Sequence, residues 1–323
     1  MAAPRLPIFD NHFHLDPRGR GLDAVREFAR AGGTSLMLVH KPYREHERPN
    51  TTLEDFRRDF DTTIALHAKI RSEVPEVTAW VALAPHPAEF TELLKVGWSL
   101  DDAHALYMRA LDLAATYVRD GKAVAMGEVG RPHWRPIEDA ILAKANESMA
   151  HAFSLARDLG CAVQIHAETA TPESFADLRA HVDAARLPVG KVVKHYSTPI
   201  VDTAVNHGIW PSVLIGKGAA EEAAKGGVRW MMETDYMDDA LVFDNMTKRS
   251  MPIAESWRLV TAGAETEWRS RFKIIGSTGA VLGPKTVPKR TRDLLAKGLM
   301  TEEQAWTIHA ENPKKVYGIE VDL

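Results

Sequence analysis

Cysteine is nearly absent: Cys161 is the only one among 323 residues. No intrachain disulfide can form, and a reducing, cytoplasmic compartment is expected. Long hydrophobic runs are missing too. No stretch stays apolar for the length that crosses a bilayer, and the opening MAAPRLPIFD lacks the unbroken apolar core of a signal peptide. A soluble protein with no membrane partner is expected. Neither charge sign dominates, since 40 Lys and Arg face 44 Asp and Glu for a formal net charge of −4. A global pull toward polyanions is excluded, so any attraction for nucleic acid must be local or carried by a metal. The chain also has no internal repeat and no Pro/Gly/Ser-rich linker. With 45% apolar residues it can bury a large core, and one domain over 1–323 is expected.

What the chain does have is alternation. Short apolar runs at 7–13, 34–39, 77–84, 123–129, 162–166, 191–195, 211–215 and 228–234 read as strands. Most are continuously apolar, as in strands covered on both faces. Amphipathic segments separate them. LDAVREFARAGG carries Leu22, Val25, Phe28 and Ala29 at helical spacing and stops at Gly32-Gly33. SLDDAHALYMRALDLAATYVRDG opens with Ser99 as a cap and Asp102 three residues on. In LMTEEQAWTIHAENP, Thr301 and Gln304 are spaced as a capping box, and Pro313 is expected to follow the helix end. About eight strands, each followed by a helix, predict an α/β fold, a single (β/α)8 TIM barrel. An open doubly wound sheet is the alternative, without a Gly-rich first turn to support it. Residues 236–285 are too long for an ordinary connection and read as an irregular, partly helical insertion over one end of the barrel.

Barrel chemistry sits at the C-terminal ends of the strands. There the chain puts His12 and His14 on the first strand, Glu128 on the fourth, His166 on the fifth, His195 on the sixth and Asp235 on the eighth. His12 and His14 are two apart, so in an extended segment they face the same way. Any one of these residues alone is more often a turn or capping group. Six of ligand-forming type, each after an apolar run where a polar side chain is costly, form a constellation. Four imidazoles and two carboxylates suit zinc, with manganese, iron or magnesium as alternatives. Six ligands exceed the needs of one tetrahedral zinc with an open position, so two divalent ions sharing a carboxylate are expected.

The order His-x-His, GEVG, IH, HYS and ETD resembles the TatD family of metal-dependent hydrolases, within the amidohydrolase superfamily. ALAPHP at 82–87 resembles that family's G-x-HP segment, and HAENPKKVYGI at 309–319 its EN-x-x-R-x-F-G ending. The resemblance implies one metal held by His12, His14, Glu128 and Asp235, and another held by Glu128, His166 and His195. It makes Glu128 the bridge and Asp235 the proton acceptor for the activated water. Three departures concern the substrate side: Glu168 stands where members often carry Arg, DYMDD replaces D-x-P, and the following insertion is longer.

Basic residues gather in the turns after the strands, among them Arg18, Arg20, Lys41, Arg44, Arg131 and Arg135. Arg suits bidentate phosphate contact, although Arg and Lys are also common in solvated turns. Arg18, Arg44, His86, Arg131, His133 and Tyr236 are the candidate substrate contacts, with Tyr236 and Trp134 able to stack a base or wall the pocket. Lys194 falls on the opposite strand face from His195 and is set aside as a ligand. The expected partner is single-stranded DNA or RNA, cleaved at phosphodiester bonds in the manner of a deoxyribonuclease or exonuclease. Glu168, Asp238 and Asp239 dilute the positive field and favour the alternative, a small ester, amide or lactone, or an aminoacyl-tRNA ester. A non-catalytic, metal-stabilised barrel is the reading from another class, and a homo-oligomer is allowed.

Overall fold

The computed structural model describes residues 6–43, 48–133, 137–216, 218–238 and 282–321. Strands and helices alternate: β1 (Phe9–His14), α1 (Leu22–Arg30), β2 (Ser35–Val39), α2 (Leu53–Glu73), β3 (Thr78–Ala82), α3 (Pro87–Lys95) and α4 (Leu100–Arg119) come first. They are followed by β4 (Ala125–Gly130), α5 (Asp139–Leu159), β5 (Ala162–His166), α6 (Pro172–Ala184), β6 (Val192–Ser197), β7 (Trp210–Leu214) and α7 (Ala219–Lys225). The eighth strand is split into β8 (Met231–Glu233) and β9 (Tyr236–Met237), and α8 (Thr286–Ala296), α9 (Glu302–Trp306) and α10 (Asn312–Tyr317) end the described chain.

Every strand pairs in parallel, in the order β8-β7-β6-β5-β4-β3-β2-β1-β9. β8 bonds to β7, while β9, two residues further on, bonds to β1. The two halves of the eighth strand thus close a TIM barrel from both sides. The break falls on Thr234 and Asp235, and Asp235 has a φ of +46°, in the left-handed region. Asp10 of β1 fastens it, accepting from Thr234 N at 3.0 Å and Thr234 Oγ1 at 2.7 Å.

The barrel interior is filled from all eight strands: Phe9, Met37, Ala82, Ala125, Ala162, Val193, Trp210 and Met231 form one cluster with Val316 and Tyr317. Small alanines on three neighbouring strands leave room for the Tyr317 ring. Its hydroxyl donates to Asn11 Oδ1 at 2.8 Å and accepts from Gln164 Nε2 at 2.8 Å. Asn312 Nδ2 donates to the carbonyls of Val228 (2.5 Å) and Trp230 (2.9 Å), and Lys191 Nζ to that of Val316 (2.7 Å). These partners precede their strands, so the C-terminal helices seal the N-terminal mouth and leave the other mouth for chemistry.

The C-terminal segment differs from its expected end. Thr301 and Gln304 do form the capping box, but the helix continues through a π turn at Thr307–Glu311 into α10. Pro313 lies in the first turn of α10, directly after the π turn, and does not end the helix. No helix among the described residues is long and apolar enough to cross a membrane.

Candidate metal centre

At the C-terminal mouth the six strand-end residues meet, all buried to within 6% exposure. Glu128 divides the cluster between its two oxygens. Oε2 lies 3.4 Å from His12 Nε2 and 3.7 Å from His14 Nε2. Oε1 lies 2.5 Å from His166 Nδ1 and 2.7 Å from His195 Nε2. Asp235 Oδ1 completes the first side, 3.3 Å from His14 Nε2 and 3.9 Å from His12 Nε2. The two sides touch through the rings of His12 and His195, stacked at 4.0 Å.

Outer partners fix which nitrogen faces inward. His14 Nδ1 is 2.9 Å from the Val39 carbonyl, so it carries the proton and leaves the lone pair of Nε2 to face a metal. His195 Nδ1 is 3.2 Å from Glu233 Oε1, which also accepts from Tyr196 N at 2.6 Å. Glu233 is a positioning residue that the ETD motif hides. Its signal was available: it stands two residues before Asp235 in an otherwise apolar run.

The electrostatics describe a cage short of cations. Burial pushes His14 down to about 4 and His166 well below the usual imidazole range, the latter helped by the His86 ring. Burial would lower His195 as well, but the carboxylates of Glu128 and Glu233 raise it to about 9. Against its own burial, Glu128 is held well below the carboxylate range by the imidazoles of His195, His86 and His166. A proton on His195 thus balances the buried glutamates, and a divalent ion could replace it. Four groups of three His, Asp or Glu residues have ligand atoms within 4.8 Å of one another among the described residues; three of them lie in this cluster.

The candidate substrate contacts take different places. His86 caps α3 through Nδ1, accepting from Ala88 N at 3.0 Å, and turns Nε2 toward Glu128 Oε1 at 3.4 Å. His133 Nε2 sits 3.1 Å from His166 Nε2. Arg131 is almost buried and pairs with Glu168 (Nε to Oε2, 2.9 Å) and with Asp177 (Nη2 to Oδ2, 2.6 Å). Arg18 pairs with Asp16 at 3.2 Å and donates to the Tyr43 carbonyl, and Lys41 Nζ reaches the same Asp16 at 3.0 Å. The Tyr236 ring packs on Phe13 at 4.7 Å between centroids. Arg44, Trp134, Arg135, Asp239 and the insertion from 239 to 281 lie outside the described residues. Lys194, as expected, turns away from the cage, donating to the carbonyls of Ala167 (3.1 Å) and His195 (2.7 Å). Asp238 binds the loop after β1 rather than facing the cage: it accepts from Asp16 N (3.0 Å), Arg20 N (2.8 Å) and Gly21 N (2.7 Å).

A sequence model of the family described as TatD related DNase matches residues 9–318, and the chain belongs to that family. It is 32% identical over 321 residues to the uncharacterized protein MJ1127 of Methanocaldococcus jannaschii, covering 98% of each chain. In fold it is similar to the crystal structure of YjjV, a TatD homolog from Escherichia coli, with a TM-score of 0.59 at 17% identity; the match covers 97% of this chain and 98% of that one. The chain is thus a hydrolase-type barrel with a cluster suited to divalent metal.

Proposed function

We propose that the chain, as one barrel over 1–323, hydrolyses phosphodiester bonds of single-stranded DNA or RNA, as a TatD-like deoxyribonuclease or exonuclease dependent on two divalent ions. Zinc suits the donor set, with manganese, iron or magnesium as alternatives. The observation that carries the reading is the division of Glu128, one oxygen toward His12 and His14 and the other toward His166 and His195. In this reading His12, His14, Glu128 and Asp235 hold one ion, and Glu128, His166 and His195 the other. Bound there, the ions supply Lewis acidity and bring a water molecule's pKa toward neutrality. Asp235, held at the strand break, accepts the proton of the attacking water. Glu233 keeps His195 oriented, and His86 and His133 face the substrate from the His166 side. Exclusion of bulk water by the buried cage strengthens each of these contacts.

One observation favours a second reading. Arg131, Arg18 and Lys41 are all engaged with acids, so the rim is less positive than its arginine count suggests. A less anionic substrate, such as an ester, amide, lactone or aminoacyl-tRNA ester, suits that field. The test is turnover of a single-stranded oligonucleotide beside an aminoacyl ester by the metal-loaded protein. Nucleotide release is expected, abolished by chelation and reduced at least ~100-fold in Glu128→Gln. Turnover of the aminoacyl ester alone would transfer the proposal to the second reading, and turnover surviving thorough chelation would end both.

A further inference from the structure

Behind His86 lies another set of ligand-type side chains, apart from the cage. One ring nitrogen of His40 and one carboxylate oxygen each of Asp59 and Glu89 lie within 4.8 Å of one another, and all three residues are buried. They arrive from three directions, the end of β2, the middle of α2 and the first turn of α3. His40 Nδ1 is 3.0 Å from Thr63 Oγ1, one turn along α2 from Asp59. Its Nε2 is buried and has no hydrogen-bond partner among the described residues. Such a nitrogen is costly to leave unmatched.

Within this set a single amide links the two acids. Asn50 Nδ2 reaches Asp59 Oδ2 at 3.0 Å and Glu89 Oε1 at 2.9 Å. Asp59 Oδ2 also accepts from Tyr43 N at 3.1 Å, and Glu89 Oε2 from His86 N at 2.8 Å. Burial pushes the Asp59 carboxyl up, against the hydrogen bonds of Asn50 and Tyr43.

We propose that His40, Asp59 and Glu89 form a separate divalent-cation site, of the zinc or manganese class and structural in role. One imidazole and two carboxylates are a donor set that such ions accept. Ligands about 2.1 Å from a tetrahedral ion stand roughly 3.4 Å apart, so the side chains need to close by at most about 1.4 Å. An ion here ties the end of β2 and α2 to the start of α3. Through Glu89 and the main-chain nitrogen of His86, it steadies the residue whose ring faces Glu128. The site does not depend on what the cage hydrolyses.

The test is metal stoichiometry of the full chain after dialysis against zinc or manganese, with thermal unfolding as the folding control. Wild type is expected to bind one equivalent more than Asp59→Asn, and Glu128→Gln to keep that equivalent. His40→Gln is expected to lose it too, and decides the matter if Asp59→Asn does not fold. Equal stoichiometry in wild type and both variants overturns the site and leaves water as the partner of His40 Nε2. Failure of the cage to take metal reads differently: Glu128→Gln then matches wild type while Asp59→Asn still loses one equivalent.

Discussion

His195 is raised where its cage neighbours His14 and His166 are lowered. Two glutamates raise its imidazole to about 9, so in the metal-free protein it is protonated at neutral pH. A metal ligand must be deprotonated, and binding therefore displaces that proton. The sign follows directly: affinity at the cage rises with pH and levels off above about 9. Isothermal titration in buffers of different ionisation enthalpy is expected to detect about one proton released per chain near pH 7, with affinity rising up to ~10-fold per pH unit. Flat affinity from pH 7 to 9 would contradict the proton's role as stand-in for the ion. Glu233 belongs to the same device, since it holds the other ring nitrogen of His195 at 3.2 Å.

At the scale of elements, the cage depends on how closely β4 and β5 approach. Gly130 has a φ of +150°, and a Cβ there would lie 1.8 Å from the His166 carbonyl oxygen. Gly130→Ala must push the strands apart exactly where Glu128 and His166 meet, at a cost of roughly 1–3 kcal/mol. A lower melting temperature together with loss of bound metal is the expected result; a variant that melts and binds metal as wild type does would refute this account of the strand contact. The strands themselves were legible in the sequence because burial on both faces writes a continuous apolar run. Their polar last residues stood out for the same reason, which is why the six cage residues could be found. The ion pair of Arg131 with Glu168 was not legible, because the partners are far apart in sequence and each alone looks like a substrate contact. Asp238 was hidden for another reason: its three shortest contacts are to main-chain N–H groups, which leave no trace in residue identity. The broken eighth strand was likewise hidden: Asp235 reads as an ordinary polar strand end, while the Asp10 carboxylate from β1 folds Thr234 out of the ladder.

For the molecule as a whole, the sealed N-terminal mouth sets stability and the C-terminal mouth sets chemistry. His309 lies in the seal, its Nδ1 3.1 Å from Phe9 N and its Nε2 2.9 Å from Thr291 Oγ1, and burial lowers it to about 4. The unfolded chain takes up that proton below about 6.5, while the folded chain refuses it until about 4. Stability is therefore lost as pH falls through this window, by about 3 kcal/mol from this group. Urea unfolding at several pH values is expected to give a shallower acid loss in His309→Gln than in wild type; identical slopes would mean the seal does not exclude the proton. The family ending that looked like a mere signature in the sequence is this seal, with Asn312 and Tyr317 as its anchors. The central claim concerns the other mouth. Anomalous diffraction from crystals soaked in zinc or manganese tests it most directly. The account predicts one peak among His12, His14, Glu128 and Asp235, and another among Glu128, His166 and His195. A map with no peak beside Glu128 at millimolar metal would contradict it.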